Sequence, residues 1–292
     1  MNIRIIPRLD IKGPNLVKGI HLEGLRVLGK PENFARHYYE MGADELIYQD
    51  VVASLYNRNS LHEIISKTAK GIFIPLTVGG GLRSLDDIRE VLRSGADKVS
   101  LNTAALKNPM LIQQAAKKFG SSTIVVAIEA IKQTNGCYLA YTDNGREYTG
   151  VEVLSWAKRV EELGAGEIIL TSVDKEGTGM GFDIDLVRSV ADAVSVPVIA
   201  HGGAGNKEHI LEVIRGGHAN AVALSSVLHY DFIKAKRSYE DDFEREGNVT
   251  FLKSDNPSSS HLISSGLEEI KNYLTLADIP CRREIECGEH DG

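Results

Sequence analysis

Three cysteines, Cys137, Cys281 and Cys287, are odd in number and form no CxxC pair. A disulfide scaffold and a zinc ribbon are therefore not expected. No His, Cys and carboxylate group shows ligand spacing, so neither a metal nor a redox cofactor is expected. Basic residues nowhere form a block and the formal charge is −7. That excludes a general binder of nucleic acid or of a membrane surface, and any phosphate binding has to be local. No apolar run reaches the roughly 18 residues of a membrane span. The start, MNIRIIPRLD, is charged by its fourth residue and lacks a signal-peptide core. A cytoplasmic protein with reduced thiols is the expectation.

What is present is a recurring unit. Short apolar runs stand at 3–9, 45–51, 72–78, 98–101, 123–129, 167–173, 196–200 and 221–224. Amphipathic stretches lie between them. PENFARHYYEMG opens on Pro31 and stops at Gly42, and SLDDIREVLRSG pairs a capping Ser84 with Asp87 and stops at Gly95. Eight strand–helix units predict a parallel sheet closed into a (β/α)₈ TIM barrel, with a doubly wound open sheet as the rival. One barrel uses about 250 residues. A single domain over 1–283 is therefore expected, with an inserted loop at about 232–261 and a disordered tail at 284–292. The loop mixes charges and ends in PSSS.

The chain also repeats itself. At an offset of 122, residues 74–106 align with 196–228, and 42–51 with 164–173. At an offset of 119, residues 5–12 align with 124–131, so Asp10 meets Glu129. Two half-barrels of four units each explain this, with equivalent sites facing each other across the mouth.

Gly80-Gly81 follows the third run and Gly202-Gly203 the seventh. Glycines at a strand-to-helix turn let backbone N–H groups approach an anion. A single pair could be no more than a tight turn, but two copies at matching places favour two phosphate sites. Asn102-Thr103 and Ser225-Ser226, at the ends of the fourth and eighth strands, offer an amide and hydroxyls to the same oxygens. Thr171, Glu176 and Gly177 complete the expected binding set. A long substrate phosphorylated at both ends is implied. Between the sites, Asp10 and Glu129 can divide acid and base work if their surroundings part their pKa values. Lys18 lies in the segment 11–30, read either as a mobile lid or as a solvated loop. Residues 136–150 read as a hairpin turning near Asp143-Asn144-Gly145.

Together these residues resemble the cyclase subunits of imidazole glycerol phosphate synthase, a histidine-biosynthesis family. RIIPRLDIK, LVKG, GADELIYQDV, FIPLTVGGGLRS, GADKVSLNTAA, VVAIEA, PVIAHGGAGN and YLTLADIPCR carry the resemblance, over about 1–230 and 262–283. It implies an ammonia-dependent cyclase that works as a heterodimer with a glutaminase subunit. The bisphosphorylated ribulosyl-formimino-aminoimidazole carboxamide ribotide would become imidazole glycerol phosphate and aminoimidazole carboxamide ribotide. It also implies that Arg4, Glu45, Lys98 and Glu167 form an ammonia gate at the barrel bottom, with Asp97 helping to dock the partner. Charged residues there could equally be stabilising ion pairs.

The departures from the family pattern fall on the opposite face. Glu129 and Glu176 stand in place of aspartates, and His201 in place of a serine, where it could bond a phosphate or fill space. Arg8 replaces a cysteine and is expected to pack between strand and lid. A retained entrance beneath an altered mouth also suits a paralogue that feeds ammonia to acetamidino-sugar formation. A non-catalytic scaffold for a glutaminase is the third reading.

Overall fold

Alternation along the apolar runs decides which side chains face inward. The computed structural model describes residues 2–53, 61–236 and 261–282. Its barrel strands are β1 (Arg4–Lys12), β4 (Leu46–Asp50), β5 (Leu76–Gly79), β6 (Lys98–Leu101), β7 (Ile124–Lys132), β10 (Glu167–Ser172), β11 (Val198–His201) and β12 (Ala221–Leu224). Each pairs in parallel with the next, and β12 returns to β1, so the ring of eight is closed and the fold is a (β/α)₈ barrel. Two antiparallel hairpins extend β1 and β7 at the mouth: β2 (Asn15–Ile20) with β3 (Glu23–Gly29), and β8 (Tyr138–Thr142) with β9 (Glu147–Glu152).

Inward positions recur every second residue. Ile6, Ile47, Val125, Ile169 and Ile199 meet in a small apolar cluster inside the ring. The larger core lies between the sheet and the surrounding helices, where for example Phe34, Ile88, Trp156 and Val213 are buried. Helix starts follow local chemistry. Ser84 and Asp87 form a reciprocal capping box, and Asn206 accepts from the backbone N–H of His209 at the equivalent place one half-barrel later.

Two expected strands begin later than their apolar runs. β5 starts after Pro75 and β11 after Pro197, because proline has no N–H for the ladder. The proline carbonyls still serve, accepting from Leu46 and Ile168. The segment 11–30, expected as a lid or solvated loop, is the β2–β3 hairpin. The hairpin expected at 136–150 is β8–β9. Of the expected insertion, Phe232–Lys236 continue the helix Ser226–Lys236, and 237–260 lie outside the described residues, as does the tail from 283.

The register sharpens the repeat. Asp10 pairs with Gln49 and Glu129 with Thr171, so Asp10 and Glu129 hold equivalent positions on opposite strands of the ring. In the other alignment the offset is 122 at Thr77 and Ile199 but 123 at Lys98 and Ala221. The extra residue is taken up at His218, a left-handed cap on the helix Lys207–Gly217. Asn102 thereby matches Ser225, and Thr103 matches Ser226.

The C-terminal helix Leu267–Leu276 is stapled to the barrel by Lys271. Lys271 is 6% exposed, and its ammonium donates to Gly42 O, Asp44 Oδ1 and Arg282 O at 2.7–3.1 Å. Lys271→Met should therefore lower unfolding free energy by about 3 kcal/mol, because buried acceptors lose their donor. Urea titration checks this, and a loss below about 1 kcal/mol would mean that water replaces the ammonium.

Candidate active site at the barrel mouth

β1 presents Arg4, Ile6, Arg8 and Asp10 inward, and that one face spans the barrel from bottom to top. At the bottom, Arg4 Nη1 lies 2.6 Å from both Glu45 Oε1 and Glu167 Oε1. Lys98 Nζ lies 3.1 Å from Glu45 Oε2 and 3.0 Å from Glu167 Oε2. The quartet is a closed ring of alternating charge in which every ion touches two counter-ions. Asp97 is exposed beside it, and its Oδ2 accepts from Leu76 N at 2.9 Å.

At the mouth the expected residues divide into two sets. A cavity of about 530 Å³ is lined by Gly80, Gly81, Asn102, Thr103, Glu129 and Thr171, together with Arg8. All four glycines of the diglycine turns have left-handed φ, from 70° at Gly81 to 113° at Gly203. A Cβ at Gly80 would lie 2.7 Å from the Asp50 Cβ, and one at Gly202 would lie 2.7 Å from the Ser172 carbonyl. Glycine is thus required twice over. The two turns follow β5 and β11, which stand opposite each other in the ring of eight.

The other expected residues do not line that cavity: Asp10, Glu176, Gly177, Gly202, Gly203, Ser225 and Ser226, together with Lys18 on the β2–β3 hairpin. A Cβ at Gly177 would lie 2.6 Å from Gly19 O, so the hairpin rests directly on the Glu176–Gly177 turn. Glu176 Oε1 pairs with Lys18 Nζ, and its Oε2 accepts from Leu22 N at 2.9 Å. The Glu176 carbonyl accepts from His21 N at 2.9 Å. Lys18 is 4% exposed, which replaces the solvated-loop reading. Burial alone would lower its pKa, but Glu176 and Asp10 outweigh burial and hold it above the ordinary lysine value.

Two carboxylates of one symmetry thus have different surroundings. Asp10 Oδ1 accepts from Arg8 Nε at 3.0 Å, and Oδ2 is 3.8 Å from Lys18 Nζ. Glu129, 8% exposed, accepts from Gly145 N at 2.8 Å. Burial raises the Glu129 pKa to about 7, against the lowering effects of Gly145 N–H, Arg8 and Asn102. The β8–β9 tip supplies that N–H because Asp143, Asn144 and Gly145 all turn through left-handed φ. Asn144 Nδ2 donates to Val51 O, and Asp143 N donates to Thr103 Oγ1, fixing the tip on the cavity wall.

Arg8 does not pack between strand and lid. It points into the barrel, because β1 alternates and Asp10, two residues on, shares its face. Nor does His201 reach for an open anion site: its Nδ1 lies 3.2 Å from Arg8 Nη1 and 3.1 Å from Thr171 Oγ1. Burial, then Arg8 and Lys18, drive its pKa well below the ordinary histidine value, so the ring is neutral. Sequence reasoning passed over Gln49, Asp50, Arg83, Lys107 and Asn144, which also line the cavity. Arg83, two residues beyond Gly81, and Lys107, at the end of the helix Thr103–Lys107, bring positive charge to the first diglycine turn. Their places, just past the turn and on the short helix after the next strand, were the available signal.

Residues 4–234 match the family model described as histidine biosynthesis protein. A protein of Legionella pneumophila named imidazole glycerol phosphate synthase subunit HisF is 60% identical over 207 residues, which is 71% of this chain and 98% of that protein. The same-named protein of Prochlorococcus marinus (strain AS9601) is 50% identical over 229 residues, 78% of this chain and 90% of the relative.

The raised Glu129 pKa sets a stability signature. The protonated form is favoured in the folded state, so its contribution is full below the ordinary value of 4.5 and is lost as pH rises through about 7. Wild type should gain about 3 kcal/mol relative to Glu129→Gln as pH falls across that window. Thermal unfolding of both proteins from pH 8 to pH 4 measures it. Parallel curves would show that the carboxyl is ionised throughout.

Proposed function

We propose an ammonia-using cyclisation on a plain premise: the chain belongs to the histidine biosynthesis protein family, among the subunits HisF of imidazole glycerol phosphate synthase. It is the cyclase subunit of that enzyme. Its substrate is the bisphosphorylated ribulosyl-formimino-aminoimidazole carboxamide ribotide. Ammonia and this substrate give imidazole glycerol phosphate, aminoimidazole carboxamide ribotide and water. The observation that carries the reading is the pair Asp10 and Glu129, equivalent residues on opposite strands, with the two diglycine turns following the strands midway between them on either side of the ring.

In this reading the substrate lies across the mouth with one phosphate at each turn. Gly80, Gly81, Asn102 and Thr103 hold one end. Gly177, Gly202, Gly203, Ser225 and Ser226 hold the other, with Lys18 close by. Asp10, faced by two cationic groups, accepts the proton released when the ammonia nitrogen adds. Glu129, poised near pH 7 by burial, returns a proton to the departing oxygen or to the departing amine. Acid and base thus differ through surroundings rather than residue type.

Ammonia comes from a glutaminase subunit docked as a heterodimer on the bottom face, in the cytoplasm. Asp97 lies exposed at that face, and the quartet Arg4, Glu45, Lys98 and Glu167 closes the interior from below. Admission of ammonia requires that ring to open, and one missing ion weakens the seal. Among the described residues, no helix is long and apolar enough to cross a membrane. No observation favours the sugar-amidination or scaffold alternatives.

Two measurements test the assignment. With ammonium salt and the bisphosphorylated substrate, Asp10→Asn should lower turnover by about 10³-fold; near-wild-type turnover would overturn Asp10 as the proton acceptor. In the complex with its glutaminase, Lys98→Ala should reduce glutamine-dependent turnover several-fold more than ammonia-dependent turnover. Equal losses would count against the gate.

A further inference from the structure

The two carboxylates of the mouth are symmetry mates, yet only one is tied to a guanidinium. Arg8 and Ala127 hold equivalent positions, pairing with Ile47 and Ile169, and His201 is matched by Gly79 in the other half-barrel. The half carrying Asp10 therefore has an Arg–His bridge across its interior, where the half carrying Glu129 has Ala127 and Gly79. β12 lies between β1 and β11 and sets Ala223 opposite both Ile6 and His201.

The hydrogen bonds run in one direction. A guanidinium only donates, so the His201 Nδ1 that faces Arg8 Nη1 at 3.2 Å is an acceptor. Thr171 Oγ1 meets the same nitrogen at 3.1 Å and donates its hydroxyl proton there. The ring is thus neutral, with its proton on Nε2. Arg8 Nε then donates to Asp10 Oδ1 at 3.0 Å. Arg8 is 5% exposed and His201 3%, so the bridge is shielded from competing water.

We propose that Arg8 is a positioning residue that fixes the Asp10 carboxylate, with His201 and Thr171 as its seat. The tie freezes the rotation of the carboxyl group and aims its second oxygen toward Lys18 and the mouth. It also accounts for the difference between two carboxylates that the fold alone would make alike. The role rests on the cyclase reading for its kinetic consequence but not for its structural one.

The test therefore has a substrate-free arm. In ¹³C-aspartate-labelled protein, with the Asp10 resonance assigned by Asp10→Asn, Arg8→Met should move the Asp10 carboxyl titration to higher pH. His201→Leu should move it the same way by less. Around Asp10, the groups left unchanged are Lys18 on β2, Glu176 behind it and His229 from the helix after β12. With free ammonia and the bisphosphorylated substrate, Arg8→Met should lower kcat by about 100-fold with KM within about threefold. The acid limb of the pH–rate profile should follow the shifted titration. Arg8→Met/His201→Leu should lose no more than Arg8→Met, since both substitutions break one bridge. An Asp10 titration unmoved in Arg8→Met, or losses that multiply in the double variant, would overturn the proposal. If Arg8→Met does not fold, His201→Leu and Arg8→Lys decide by the same titration. Wild-type protein inert toward the substrate would remove the cyclase reading, while the titration would still decide the bridge.

Discussion

The alternation of one strand governs the rest. Because β1 turns every second residue inward, Arg4, Ile6, Arg8 and Asp10 share the interior of a closed ring. Three of those four are ionisable in a space that excludes most water. Each has to be matched there by an opposite charge or a hydrogen bond, since an unmatched buried ion costs several kcal/mol. Arg4 is matched by Glu45 and Glu167. Asp10 is matched by Arg8 and Lys18. Ile6 lies between, in an apolar layer that separates the lower charges from the upper ones. The barrel thus carries two ionic plates across an oily spacer. A small neutral molecule crosses such a spacer far more readily than an ion.

Much of the fold was legible because apolar runs and their punctuation are local. All eight barrel strands were placed, and strands three and seven erred only in where the proline lets pairing begin. The offset of 119 made Asp10 and Glu129 equivalent before any coordinates, and the register agrees residue by residue. The hairpin β2–β3 was not legible as strands. Gly13, Gly19, Gly24 and Gly29 break its alternation, and its order comes from Glu176, more than 150 residues away. The direction of Arg8 was misjudged for a similar reason. Arginine in a barrel interior is unexpected until the histidine and the aspartate that meet it are seen together.

The departures from the family pattern turn out to be coupled. Arg8 and His201 are partners: the guanidinium donates to Asp10 through Nε and meets the imidazole through Nη1. Glu176 reaches Lys18 and the backbone of the β2–β3 hairpin. Glu129 reaches the backbone of the β8–β9 tip. The longer glutamates therefore each touch a mouth hairpin with an oxygen, which links the position of the acid to the position of the loop that covers it.

That linkage has a consequence for when Glu129 can act. Its carboxyl owes the raised pKa first to burial, and part of the burial is the β8–β9 tip that donates Gly145 N–H. Moving the tip away would admit water, which lowers the pKa more than losing the Gly145 N–H raises it because burial is the larger cause, and would leave a carboxylate unsuited to giving a proton near pH 7. Keeping the tip closed preserves an acid but narrows the way in. Thr103 and Val51, which hold Asp143 and Asn144, therefore bear on proton donation without touching the reacting atoms. Asp10 owes one partner, Arg8, to the barrel interior and the other, Lys18, to the β2–β3 hairpin. Of two carboxylates placed alike by a duplicated fold, one is held through the β8–β9 hairpin and the other through an interior bridge and the β2–β3 hairpin.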